Sequence, residues 1–322
     1  MTEPPPSVAG IAAAYEQIDP VFLDTPLIGH GAADAALGCT LLAKVETLNP
    51  TRAFKGRGTD WFLSGLPASH VPLVAASAGN FGQGLAYAAR KRDRRTIVFA
   101  STAANPMKIE AMRRLGAEVM LEGADFDAAK VAAQEFAVAK GFLFVEDGAH
   151  AAIAEGAGTI ALEITRALER RRQALDAILV PLGNGALLTG IGTWMKTATP
   201  SCRVIGIVAE SAPAMMLSWR QAREVATPDA PTIADGIAVR QPVPYALACM
   251  QATVDDVRTV SEASIIAAMR FCHDHYGLVV EPAGAAGLAA ALDHAGLVKG
   301  KSVATVLCGG NLTREQMKLY LA

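Results

Sequence analysis

The sequence predicts an α/β protein whose parallel sheets are covered by helices on both faces. Three observations carry that reading. Short apolar runs alternate with long alanine-rich helical segments along the 322-residue chain. Those runs are continuously apolar, as strands buried on both faces are. Glycine-rich turns mark strand-to-helix junctions at Gly79 and Gly183.

In order, the first helix is expected over 8–18, and an extended segment over 23–28, because Pro26 restricts Thr25. Strands are expected near 40–46, 71–76, 96–100, 117–121, 142–145, 177–181, 203–209, 256–260 and 302–307. Helices are expected near 57–65, 81–92, 106–115, 125–140, 151–171, 186–197, 261–276, 284–294 and 313–320. Residues 71–147 hold three compact strand–helix units, enough for a smaller unit of their own.

Composition excludes several classes. With 52% apolar and 19% charged residues, a large core is available and disorder is not expected. Net charge is −2, and the longest basic run, Arg90 to Arg95, reads as a solvated helix end, so nucleic acid is not an expected partner. The five cysteines are odd in number and lack Cys-x-x-Cys spacing, which argues for a reducing compartment rather than disulfides or zinc. The six histidines show no metal spacing either, so no metal is expected. Met1 to Pro6 is unlike a secretory signal, and no uninterrupted apolar stretch of ~18 residues is present. The expectation is a cytoplasmic protein with no membrane span.

The chemistry centres on Asn49-Pro50-Thr51-Arg52-Ala53-Phe54-Lys55-Gly56-Arg57-Gly58-Thr59. Lys55 lies at a loop-to-helix junction beside Arg57, in a positive field that favours the neutral amine, the form that makes Schiff bases. A lysine between Phe and Gly is ordinarily a solvated surface residue. Its company sets this one apart. Ser77-Ala78-Gly79-Asn80-Phe81-Gly82-Gln83-Gly84 follows a strand and opens a helix, a place where backbone amides meet anions. A dinucleotide loop competes for this stretch, but the spacing is Gly-x-x-Gly-x-Gly, and the next strand runs into Ser101 rather than an acid. Gly183-Asn184-Gly185-Ala186-Leu187 follows the most apolar strand and suits one phosphate, without the Lys-Ser/Thr of a nucleotide loop. Asp235-Gly236 sits between apolar residues, and Glu281 precedes an alanine-rich helix. Cys308-Gly309-Gly310-Asn311 ends the last strand, where open α/β sheets bind ligands.

Together these segments resemble the fold-type-II pyridoxal-phosphate enzymes, most closely the threonine/serine dehydratase branch. The match runs in order through Thr25-Pro26-Leu27, Phe54-Lys55, Ser77 to Asn80, Gly183-x-Gly185, Thr232 to Val239, Glu281-Pro282-x-Gly284 and Cys308 to Asn311. The resemblance implies a tryptophan synthase β-like fold: two three-layer α/β/α domains with twisted, mostly parallel sheets. Residues 1–47 and 148–322 would form a large cofactor-binding domain, and 48–147 a small one. Lys55 would be the Schiff-base lysine and would move the α-proton. Phe54, Asn80, Gly183 to Leu187, Gly236, Glu281 and Cys308 would hold pyridoxal 5'-phosphate, and Ser77 to Asn80 the carboxylate of a small amino-acid substrate. A homodimer is expected. The implied reaction is deamination of L-threonine or L-serine, with a β- or γ-replacing synthase and a non-catalytic binding protein as alternatives. The chain departs from the family at Ala53, Phe81 and Ala186, where Ser, His and Gly are common. Serine racemases carry a serine where this chain has Ala78, whose methyl cannot move a proton, so little racemisation is expected.

Overall fold

The computed structural model describes residues 3–77 and 79–322. The strands, in chain order, are β1 (Leu27–Ile28), β2 (Thr40–Val45), β3 (Leu73–Ala76), β4 (Thr96–Ala100), β5 (Glu118–Leu121), β6 (Leu143–Phe144), β7 (Ala177–Pro181), β8 (Arg203–Ala209), β9 (Asp256–Val260) and β10 (Ser302–Leu307). They form two sheets. The larger has the order β1-β2-β10-β7-β8-β9 and is parallel except for β1, which pairs antiparallel with β2. The smaller has the order β5-β4-β3-β6 and is parallel throughout.

The apolar strands behave as doubly covered strands should. Along β7, Ala177 and Leu179 enter one core cluster while Ile178 and Val180 enter another. Leu41 and Leu42 of β2 divide the same way. A period of two with both faces apolar is the sequence signature of helices on both sides. Three cations of the basic run are paired: Arg92 meets Asp60 at 2.6 Å, Lys91 meets Asp19 at 3.1 Å and Arg95 meets Glu118 at 2.6 Å.

Several boundaries differ from the sequence reading. β3 begins at Leu73 rather than 71, because Pro72 has no amide to donate to a ladder. The helix expected from 57 begins at Lys55, since Phe54 is already α-helical (φ −65, ψ −16) and its carbonyl accepts from Arg57. Helices at Gly31–Leu37, Ala214–Gln221 and Pro244–Thr253 have no counterpart among the expected elements. Each is short, and none has a side-chain N-cap bond to announce it. Pro244 at the first helical turn was the one readable start signal.

The connection that matters for function joins the end of β10 to the segment before Lys55. Ala53 bridges Gly309, Phe54 N donates to Cys308 O at 3.1 Å, and Gly310 N donates to Arg52 O at 2.9 Å. The lysine is thereby fixed at the carboxyl edge of the larger sheet, facing the smaller one. Asn49 supports this turn: its Oδ1 accepts from Thr51 N at 3.0 Å, and its Nδ2 donates to Ala53 O at 3.1 Å. No helix among the described residues is long and apolar enough to cross a membrane.

Candidate active site

A cavity of about 580 Å³ opens between the two sheets. It is lined from the carboxyl ends of β3, β7 and β10, where parallel sheets place ligands. Phe54, Lys55, Ser77, Gly79, Asn80, Gly183, Asn184, Gly185, Ala186, Leu187, Gly236, Glu281 and Cys308 all line it. Ala78, also expected at the site, lies outside the described residues.

Lys55 is the first residue of the helix Lys55–Ser64. Its Nζ lies 4.6 Å from the Phe54 ring centroid and 2.5 Å from Asp147 Oδ2. Directly behind it is a buried ionic cluster. Arg57 is 0% exposed and donates to Glu46 at 2.8 and 2.9 Å and to Glu163 at 2.5 and 3.0 Å. Lys44 also donates to Glu163 and to Thr25 O. Two cations face two carboxylates, so the cluster is balanced. Burial alone would lower the Arg57 guanidinium, but Glu46 and Glu163 outweigh it and hold it above its ordinary range. This cluster clamps the turn that presents Lys55.

The glycine loop after β7 leads into the helix Ala186–Ala198. Gly185 caps it with φ +99, and a Cβ there would come within 2.6 Å of the Ala246 Cβ. The first amides of this helix have no intrahelical acceptors and open on the cavity through Ala186 and Leu187. The second loop differs. Ser77 Oγ accepts from Gly79 N at 3.1 Å and Gly82 N at 2.8 Å, so the serine caps its own helix, Asn80–Arg90. Only the remaining first-turn amides are left for an anion.

The far wall is polar and tightly paired. Asn80 Nδ2 donates to Glu281, and Asn80 Oδ1 accepts from Asn311 at 2.9 Å. Lys108, 4% exposed, binds both oxygens of Asp235 at 2.9 and 2.7 Å and lies 3.4 Å from Glu281. Burial would lower the Lys108 ammonium, yet Glu281 and Asp235 together raise it. Glu281 shares that single cation, so burial prevails and its carboxyl is raised. Glu281 Oε2 accepts no hydrogen bond, and neither does Asp147 Oδ1. Burial, followed by Glu281, pushes the Cys308 thiol up to about 12, so it is neutral at ordinary pH.

Sequence reading passed over Asp147, Lys108, Glu46 and Glu163. Asp147-Gly148 just past β6 is a turn signal at a strand end, and a lysine beside the buried Ile109 and Met112 is an anomaly. Neither forms a local motif.

A family model described as pyridoxal-phosphate dependent enzyme matches residues 18–309. The L-threonine ammonia-lyase of Thermotoga maritima is 35% identical over 304 residues, covering 94% of this chain and 75% of that protein. That of Geobacter sulfurreducens is 36% identical over 291 residues, covering 89% and 71%. The solved crystal structure of a threonine deaminase from T.th. matches with a TM-score of 0.90 at 31% identity, covering 96% of this chain and 99% of that one.

Proposed function

The chain belongs to the pyridoxal-phosphate dependent enzymes, and from that premise we propose that it deaminates L-threonine or L-serine by β-elimination, giving a 2-oxo acid and ammonia. One observation carries the reading: a primary amine and a helix-N-terminal cradle open into the same cavity. The residues suit the cofactor. Lys55 offers the amine, and the amides following Gly185 suit its phosphate. One buried carboxylate oxygen of the cavity lining, Asp147 Oδ1, is without a hydrogen-bond partner. Gly183 to Leu187 would hold the phosphate, Phe54 would flank the ring, Asn80 would donate to a ring oxygen, and Gly236, Glu281 and Cys308 would complete the enclosure.

Bound pyridoxal phosphate supplies a carbonyl that captures amino groups and a ring that accepts the electron pair released at the α-carbon. Lys55 would hold it through its side-chain amine. With the cofactor bound, the Lys55 amine would remove the proton from the substrate's α-carbon. The first-turn amides of Asn80–Arg90 orient the substrate carboxylate. Cys308, kept neutral by burial, is a weak partner for a ring nitrogen and does not hold a proton there as a carboxylate would. Electron density then stays available at the substrate, which favours prompt loss of the β-hydroxyl.

We read residues 48–147 as the small domain and 1–47 with 148–322 as the large one; that reading is supported by the smaller sheet's strands all falling within Leu73–Phe144. The test of the site is covalent. Borohydride reduction of the loaded protein should fix the cofactor on Lys55 in a peptide map, and Lys55→Ala should abolish turnover of L-threonine. An adduct on any other lysine would overturn the assignment.

A further inference from the structure

We propose that Asp147 is the acid–base partner of Lys55, holding the ammonium that forms when Lys55 takes the α-proton; this rests on the lyase reading above. The two side chains are 16% and 10% exposed and meet at 2.5 Å. Among the described residues neither has another ion-pair partner. The Phe54 and Phe81 rings flank Nζ at 4.6 and 6.0 Å, and the neutral Cys308 thiol adds no charge. A charge formed on Lys55 is therefore balanced by Asp147.

The second observation is the idle oxygen. Asp147 Oδ1 is buried without a hydrogen-bond partner in a residue that lines the cavity. An unsatisfied buried carboxylate oxygen costs stability and needs a reason. The backbone shows that its place is specified. Gly148 has φ +84, and a Cβ there would come within 2.2 Å of Asn184 O. The chain just after Asp147 thus passes directly against the glycine loop, while the carboxylate itself meets the Lys55 amine.

The proton accounting closes with these two groups. As the base of the reaction, the Lys55 amine would take the proton from the α-carbon, while the C–H electron pair stays with the substrate. Asp147 holds the resulting ammonium by a charge-assisted hydrogen bond. The ammonium then gives its proton to the β-hydroxyl as the C–O bond breaks. The electron pair left at the α-carbon becomes the new carbon–carbon double bond, water departs, and the amine is neutral again. No oxidant or reductant is consumed.

The experiment compares loaded wild type, Asp147→Asn and Asp147→Glu, with borohydride fixation on Lys55 confirming loading. Two readouts are taken: kcat for L-threonine against pH, and the pH midpoint of the visible absorption of the Lys55-bound cofactor. Loss of the carboxylate should lower kcat by about tenfold or more with KM within about threefold. It should also move the absorption midpoint to lower pH by about one unit, a tenfold loss of proton affinity at the lysine nitrogen. Asp147→Glu should recover most of both. An Asp147→Asn enzyme with an unchanged kcat profile and midpoint overturns the proposal. Should Asp147→Asn fail to fold, Asp147→Ser decides: a midpoint lower by about one unit supports the pairing, and a midpoint at the wild-type value overturns it. If wild type releases no 2-oxo acid, the lyase reading fails, while the midpoint still judges the Lys55–Asp147 pair.

Discussion

At the scale of single residues, the site is a lysine held in place by groups distant in sequence. Lys55 was legible because of its company: motifs at Asn80, Gly183 and Cys308 fall in the order a cofactor site needs. Its partner Asp147 is 92 positions away, and Arg57 meets Glu163 across 106. Such pairings leave no local periodicity, so neither was readable. The buried cluster makes a firm prediction. Glu163→Gln leaves Arg57 and Lys44 short of one charge, and breaking a buried pair this way costs about 3–5 kcal/mol. Burial alone would raise the Glu163 carboxyl, but Arg57 and Lys44 together hold it below its usual range. Its contribution is therefore complete above the unfolded value and is lost as pH falls through the folded one. Urea titrations should show a large gap between wild type and variant at pH 7 that narrows below about pH 4. A gap independent of pH would mean that Glu163 acts through shape and not charge.

At the scale of elements, strand ends do the positioning. The long helices were legible to within a residue or two, as at 151–171, because their apolar periodicity is local. The start of the lysine helix was not, because it depends on Phe54 being pinned by Cys308 O and Ala53 by Gly309. Strand pairing across the whole chain decides that boundary. The loop after β7 gives the element-level prediction. Gly185→Ala forces a side chain into φ +99 and against Ala246. It should cost about 1–3 kcal/mol of stability. It should also raise the Kd for pyridoxal phosphate by about tenfold, by displacing the amides that follow. Equilibrium dialysis of the folded variant measures this; unchanged affinity would place the phosphate elsewhere.

At the scale of the whole molecule, the cavity exists because two parallel sheets face each other across it. The α/β class was legible in the alternation of apolar runs and helices. The three compact strand–helix units of 71–147 hold the strands of the smaller sheet, whereas the order of strands within each sheet is something local pattern does not encode. Lys108, on the helix Pro106–Arg114 beside the smaller sheet, reaches across to Asp235 and Glu281. Asp235 is 40% exposed, so this link is worth about 1 kcal/mol. Asp235→Asn should speed hydrogen exchange in Pro106–Arg114 by about fivefold while leaving β7 and β10 unchanged. Uniform acceleration would show that the contact supports global stability and does not latch the two halves. The most direct test of the whole account is product analysis with L-threonine. The loaded protein should release 2-oxobutanoate and ammonia in equal amounts, and Lys55→Ala should release neither. A loaded wild-type protein that binds L-threonine and yields no 2-oxobutanoate would contradict the account.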